Sequence, residues 1–140
     1  MASYTDTLGA YSELVAELAL IANGYTVSTT RTSEAYDLKA TDPLNGAELK
    51  VQVKTIRKRG DRNGELVVYA TNGSGQKYSQ SDVDVFIGVL AEEGEMPRVY
   101  MFENRDLREY WATEARASKR WVELSLTFNR ALYKAEMVAQ

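Results

Sequence analysis

The sequence predicts an α+β domain, a mixed β-sheet flanked by an N-terminal helix and by C-terminal helices. Three observations lead there. Residues 7–23 repeat apolar side chains at helical spacing. From residue 25 onward, short apolar-rich runs are separated by turns rich in Gly, Pro, Asn and Asp, the mark of strands. One helix, a succession of strands and closing helical segments is the order of the α+β class. With 140 residues, no repeat and no internal linker, residues 1–140 read as one domain, large enough for a core.

In the first helix, Leu8, Tyr11, Val15, Leu18 and Ala22 fall at i, i+3 and i+4 spacing, and Leu14 and Ile21 widen the stripe. Asp6 or Thr7 caps its start, and Asn23-Gly24 stops it. Tyr25–Thr29 reads as a short strand and Thr30–Ala35 as a polar loop. Tyr36–Thr41 and Glu48–Thr55 both alternate polar and apolar residues with a period of two. Between them stands Asp42-Pro43-Leu44-Asn45-Gly46-Ala47, whose Pro and Asn-Gly are turn chemistry, so the pair reads as a β-hairpin. Asp61–Gly64 reads as a further turn, Glu65–Ala70 as a strand and Thr71–Ser81, rich in Gly, Ser and Asn, as a mobile loop. Val83–Leu90 is apolar enough for a buried strand, with Asp82 and Asp84 at its mouth. Arg98–Phe102 follows as a strand, Leu107–Trp111 as a short helix, Trp121–Phe128 as an extended segment and Asn129–Val138 as a terminal helix.

Composition narrows the chemistry. Cysteine and histidine are absent, which removes thiolate chemistry, the commonest general base and every histidine-based triad. Catalysis would rest on carboxylates, lysines, tyrosines and a hard cation held by oxygen. Met1–Asp6 lacks the regions of a signal peptide, and no run approaches the ~20 apolar residues of a membrane helix. The chain therefore reads as soluble, cytoplasmic and free of membrane. The net charge of −3 does not mark a nucleic-acid binder in bulk. Cations are nonetheless clustered: Lys50, Lys54, Arg57, Lys58, Arg59 and Arg62 in one stretch, Arg116, Lys119 and Arg120 in another. Any one cluster alone is ordinary solvated surface; adjacency to the hairpin raises the first.

The hairpin register places chemistry on one face. If Thr41 pairs with Glu48, Lys39 pairs with Lys50 and Asp37 with Gln52, their Cβ atoms about 5 Å apart. Leu38, Ala40, Leu49, Val51 and Val53 then face inward, and Lys54 lies one same-face step beyond Gln52, about 7 Å on. A carboxylate, an amide and a lysine on a stiff sheet suit a divalent cation beside a phosphate. A loop one or two residues shorter would bring Lys50 opposite Asp37 and make Glu48-Leu49-Lys50 the acid-x-lysine element instead. An acid in an apolar strand context such as Asp37 is locally unfavourable, which points to function. Glu13 lies at the edge of the helix stripe, with Glu17 one turn on as its competitor.

Gly9, Glu13 and Ala16, then Gly24-Tyr25-Thr26-Val27, Tyr36-Asp37-Leu38 and Val51-Gln52-Val53-Lys54-Thr55 resemble the PD-(D/E)XK nuclease superfamily. The likeness is to its branch of Holliday-junction resolvase-like enzymes and group I intron homing endonucleases. Tyr78 and Asp82-Val83-Asp84-Val85-Phe86 are similar to the strand that follows the core there. The resemblance covers about residues 8–90 and leaves about 91–140 as an elaboration. It implies a restriction-endonuclease-like core, with Glu13 as the helix acid, Asp37 as the metal-binding aspartate and Lys54 as the catalytic lysine. Gln52 stands where most members carry Glu or Asp, although some homing endonucleases of the branch look like D…QxK.

The implied activity is hydrolysis of DNA phosphodiesters, either site-specific homing or resolution of four-way junctions. Mg²⁺, with Mn²⁺ able to substitute, would be held by Glu13, Asp37, Gln52 and the Val53 carbonyl. Lys50, Arg57, Lys58, Arg59 and Arg62 would hold the DNA backbone, with Gln76, Lys77, Arg116, Lys119 and Arg120 as further contacts. Cutting two strands implies a homodimer or a larger symmetric assembly, and the resemblance fits a phage- or mobile-element-encoded protein. The alternative is a catalytically inactive nuclease-fold module that binds DNA or assembles, motivated by Gln52.

Overall fold

The computed structural model describes residues 1–133. Helix α1 spans Tyr4–Ala22, and α2 is a single turn at Ala117–Arg120. Nine strands complete the fold among the described residues: β1 (Thr26–Thr29), β2 (Leu38–Thr41), β3 (Glu48–Thr55), β4 (Arg57–Arg59), β5 (Glu65–Tyr69), β6 (Val85–Leu90), β7 (Arg98–Glu103), β8 (Glu109–Ala112) and β9 (Val122–Leu124). They form a six-stranded sheet in the order β1-β2-β3-β6-β7-β9 and a three-stranded sheet in the order β4-β5-β8. In the larger sheet β3 and β6 run parallel and the other neighbours antiparallel, so the sheet is mixed as expected.

The large sheet is covered on both faces. Val15, Ala16, Ala19 and Leu20 of α1 pack on Leu38, Ala40, Val51, Val53, Val85 and Ile87 on one side. On the other, Leu66, Val68, Tyr110 and Ala112 of the small sheet pack on Phe86 and Tyr100, with Trp121 and Ile56. The chain passes directly from one sheet to the other: at Ile56, whose N–H donates to the Val89 carbonyl at 2.8 Å, it leaves the large sheet for β4. A Cβ on Gly88 would stand 3.0 Å from Ile56 Cγ1 and 3.1 Å from Val68 Cγ2. A bare backbone at this point of β6 lets the second layer approach so closely.

The hairpin register is the one the alternation predicts: Thr41 opposes Glu48, Lys39 opposes Lys50, and Leu38 opposes Val51. The shorter-loop register that would bring Lys50 opposite Asp37 is not adopted. Asp42 Oδ1 accepts from the Leu44 N–H at 2.8 Å and Gly46 takes φ +71°, which closes the connection.

Four expectations are corrected. The cap of α1 is Ser3, whose hydroxyl accepts from the Asp6 N–H at 3.1 Å, so the helix starts one turn earlier than Thr7. Its buried face is Ser12, Val15, Ala16, Ala19, Leu20 and Ala22, whereas Tyr11, Leu14, Leu18 and Ile21 are exposed. Small side chains let the helix backbone approach the sheet closely, which counting bulky apolar residues does not reveal. Leu107–Trp111 is not a helix. Tyr110 and Ala112 point inward with Trp111 outward, and pairing with β5 makes the segment β8. At the C-terminus, Arg130–Tyr133 forms a 3₁₀ turn; the rest of the expected helix, residues 134–138, lies outside the described residues. Among the described residues no helix is long and apolar enough to cross a membrane.

The rotated helix face gives a direct test. Leu20→Ala removes a fully buried side chain and is expected to cost about 2–5 kcal/mol in urea unfolding. Leu18→Ala, at an exposed position, is expected to change stability by less than about 0.5 kcal/mol.

Candidate functional site

β2 stops at Leu38 while β3 runs on to Thr55, so the β2-facing edge of β3 beyond Val51 lacks a backbone partner from β2. Asp37 fills the first gap. Its N–H donates to the Val51 carbonyl at 2.8 Å, and its Oδ2 accepts from the Val53 N–H at 2.9 Å. The side-chain oxygen thus replaces the ladder carbonyl that a longer β2 would have offered. In a strand the N–H and C=O of one residue point the same way, so the Val53 carbonyl is aimed at this same edge. Asp37 is held here by two hydrogen bonds rather than by strand propensity, which answers the local conflict seen in the sequence.

α1 brings Glu13 to the same place, and Asp37 and Glu13 line one cleft of about 310 Å³ with Glu17, Tyr36 and the β1–β2 connection. Partial burial raises the Glu13 carboxyl above its ordinary 4.5; the Asp37 negative charge, a hydrogen bond with Asp37 and the charge of Glu17 push the same way. Glu13 remains an exposed residue overall, so solvent screens this repulsion. Glu17 lines the cleft too, one turn further along, and its charge acts on Glu13 less than that of Asp37 does. The helix is fixed at this point by Ser12, buried, whose hydroxyl lies 2.7 Å from that of Thr55 at the end of β3.

Gln52 and Lys54 stand on alternate residues of β3 opposite Phe86 and Gly88 of β6, on the face away from α1. Lys54 Nζ donates to the Thr71 carbonyl at 3.1 Å and lies 5.1 Å from the centre of the Tyr78 ring. Among the described residues no ion pair within 4.0 Å joins it to Asp37. Glu13, Asp37 and the Val53 backbone therefore meet at one edge, while the Lys54 ammonium is turned to the loop after β5.

That loop is anchored by a residue the sequence does not single out. Asn104 is buried; its Nδ2 donates to the carbonyls of Tyr78 at 3.0 Å, Ser79 at 3.1 Å and Val83 at 3.0 Å, and its Oδ1 accepts from the Asp106 N–H at 3.0 Å. The segment expected to be a mobile loop is pinned here, and Tyr78 is presented to Lys54. An asparagine closing an apolar strand reads locally as a turn former, so only the fold exposes this role. Asp84, expected only at the mouth of β6, accepts from the Lys50 N–H at 2.7 Å and sets the start of the parallel pair.

The basic stretch is largely compensated within the chain. Lys58 pairs with Glu114 at 2.9 Å and Glu92 at 3.5 Å, Arg59 with Asp61 and the Tyr69 hydroxyl, and Arg62 with Glu65 and Glu109. Lys50 Nζ donates to the Ser81 carbonyl at 3.0 Å, and Arg57 stacks over Tyr69 at 5.6 Å. Gln76 and Lys77 sit exposed in the β5–β6 connection, where the Gln76 N–H donates to Asn72 Oδ1 at 3.0 Å and Lys77 bridges Thr71. Arg116, Lys119 and Arg120 line a separate cleft with Trp111 and Thr113.

Two measurements test this geometry. A carboxyl raised in the folded state favours the protonated form there, so ionising Glu13 weakens the fold as pH rises through its raised value. Glu13→Gln is expected to raise Tm at pH 7 and to lose that gain below pH 4.5, the ordinary value; thermal melts across this range check it. Asn104→Ala removes the side-chain donor to the Tyr78, Ser79 and Val83 carbonyls, of which Ser79 retains the Asp82 and Val83 N–H groups. It should cost about 1–3 kcal/mol and speed amide exchange at residues 78–83.

Compared with known proteins, no family model matches the chain and no curated protein matches it. Among the described residues no group of three or more acidic, histidine or cysteine side chains converges to hold a metal. Among solved structures, the chain is similar to a bacterial homing endonuclease, I-Ssp6803I, with a TM-score of 0.60 at 26% identity over 81% of this chain and 78% of that one. The α+β fold described above is thus shared with a homing endonuclease.

Proposed function

We propose that this chain is a Mg²⁺-dependent DNA endonuclease that hydrolyses phosphodiesters at specific duplex sites. The observation that carries the reading is the meeting of Asp37 and Glu13 at the open edge of β3, where the Val53 carbonyl is aimed and Lys54 follows one residue on. Two carboxylates that face one cleft, the charge of Asp37 raising the proton affinity of Glu13, suit a hard divalent ion. The Gln52 amide oxygen and the Val53 carbonyl would complete an all-oxygen donor set, which favours Mg²⁺ or Mn²⁺ over softer metals. Once bound there, such an ion supplies charge neutralisation at the scissile phosphate and a water of lowered pKa. Asp37, tied to the Val53 N–H, keeps its carboxylate fixed during the reaction, and Glu13 orients from the helix. Lys54 provides positive charge to the phosphate as negative charge develops on its oxygens. To do so its ammonium exchanges the Thr71 carbonyl for the phosphate.

That the structural neighbour I-Ssp6803I is a homing endonuclease supports site-specific duplex cutting over four-way junctions. Cutting both strands calls for two such sites, hence a homodimer or a larger symmetric assembly. A second reading, a DNA-binding module of nuclease fold without catalysis, draws on the position of Lys54, whose ammonium is held by Thr71 and Tyr78, and on Gln52 in place of an acid.

Purified protein incubated with linear duplex, supercoiled plasmid and a four-way junction, in Mg²⁺ and in Mn²⁺, separates these. Asp37→Ala and Lys54→Ala are each expected to slow cleavage by about 10²–10³-fold. Cutting that survives both substitutions unchanged would sink the site, and calorimetric Mg²⁺ binding lost in Asp37→Ala without any cutting would favour the silent module.

A further inference from the structure

The two basic clusters of this chain differ in how far the fold compensates them. The cations from Lys58 to Arg62 spend their charge on Asp61, Glu65, Glu92, Glu109 and Glu114. Arg116, Lys119 and Arg120 differ. All three are exposed, and none makes an ion pair within 4.0 Å with an acid of the described residues. They sit at i, i+3 and i+4 around the single turn of α2, a spacing that turns all three to one side about 5–6 Å apart. Together with Trp111 and Thr113 they line an open cleft of about 680 Å³. Glu114, the nearest acid in sequence, is engaged by Lys58 at 2.9 Å.

Trp111 gives this cleft its geometry. It projects outward from β8 at 41% exposure, over Val67 of the central strand of the small sheet. The Arg120 guanidinium lies 4.2 Å from the centre of its indole. Attraction to the ring face holds the guanidinium in place, and a guanidinium so held can grip a phosphate with two parallel hydrogen bonds from its edge. A uniformly positive cleft on a chain of net charge −3 concentrates its attraction in one place.

From this we infer that the Arg116–Lys119–Arg120 cleft, and not the longer basic stretch at Arg57–Arg62, is where the chain holds the phosphate backbone of DNA, with Trp111 as the positioning residue for Arg120. The inference rests on the endonuclease reading and deepens it. Backbone contacts fix orientation and carry no sequence information, so this cleft supplies affinity and registers the duplex for the Asp37 edge.

Binding without chemistry tests it. A fluorescein-labelled mixed-sequence duplex is titrated with the full chain at about 50–200 mM salt without divalent cation, and the log–log salt slope is measured by anisotropy. The triple variant Arg116→Gln, Lys119→Gln, Arg120→Gln is expected to flatten the slope by roughly 2.7, the loss of three phosphate contacts. Arg120→Lys keeps the charge and is expected to preserve the slope. In wild-type protein DNA should change Trp111 emission; this signal should fall in Arg120→Lys and vanish in Trp111→Phe, because Trp121 is buried. Circular dichroism verifies that each variant is folded, and the single variant Lys119→Gln, expected to flatten the slope by about 0.9, serves if the triple variant is not. An unchanged slope in folded variants that still bind DNA overturns the cleft alone. Absence of binding by wild-type protein overturns the cleft and the endonuclease reading together. Tighter binding of labelled polyglutamate than of duplex would assign the cleft to an acidic polypeptide and overturn the inference.

Discussion

β3 and β6 lie side by side and run parallel, and parallel neighbours cannot be joined by a tight turn. The chain between them must leave the sheet at the Thr55 end of β3 and return at the opposite end, where Val85 of β6 lies beside Val51. It does so by carrying β3 through Ile56 into a second sheet, rather than through the helix that such connections usually employ. That one constraint produces the layered structure: α1 covers one face of the large sheet, and the crossover itself, completed by β8, covers the other. Gly88 makes the arrangement sterically possible, since any side chain there would meet Ile56 and Val68. Asp84 fixes where the parallel pair begins, with its carboxylate on the Lys50 N–H and its own N–H on the Lys50 carbonyl.

The candidate site is a by-product of unequal strand lengths at the same place. β3 outruns β2, and the exposed rungs of the ladder are taken by a carboxylate instead of a backbone carbonyl. A group placed by hydrogen bonding to a strand in the middle of a sheet moves little, which is what a metal-binding or phosphate-facing acid needs. Lys54 is positioned by different means. Its partner loop belongs to the crossover, and Asn104, at the end of β7, ties that loop to the sheet. Residues far apart in sequence thereby set the surroundings of the candidate site: the acids from α1 and from the residue just before β2, the lysine's partners from the β5–β6 connection.

Charge is distributed with equal economy. The densest basic run, Arg57–Arg62, lies on β4 and the turn after it, where acids from β5, β8 and two loops neutralise it. Its main effect is to stitch the small sheet together. Arg116, Lys119 and Arg120, the shorter basic cluster of the sequence, instead stand without ion pairs among the described residues, at the cap and on the turn of α2 beside an exposed tryptophan.

What the sequence determined by itself are the features governed by neighbours along the chain. The helix near the N-terminus, the Asn23-Gly24 stop, the hairpin and its register, and the strands at 65–70, 83–90 and 98–102 all follow from local periodicity and turn chemistry. The pairing of Asp37 with the Gln52–Lys54 segment was legible for the same reason, because strand alternation and loop length fix cross-strand partners. Tertiary structure decided what depends on contact between distant segments. It turned Ser12, Ala16 and Ala19 inward in place of Tyr11, Leu14 and Leu18, since close helix–sheet approach rewards small side chains. It made 109–112 a strand, because β5 offered it a ladder. It gave Asn104 its carbonyls and neutralised Arg59 and Arg62. Burial, hydrogen-bond satisfaction and charge compensation are properties of neighbours in space, and the linear order of residues does not state who those neighbours are.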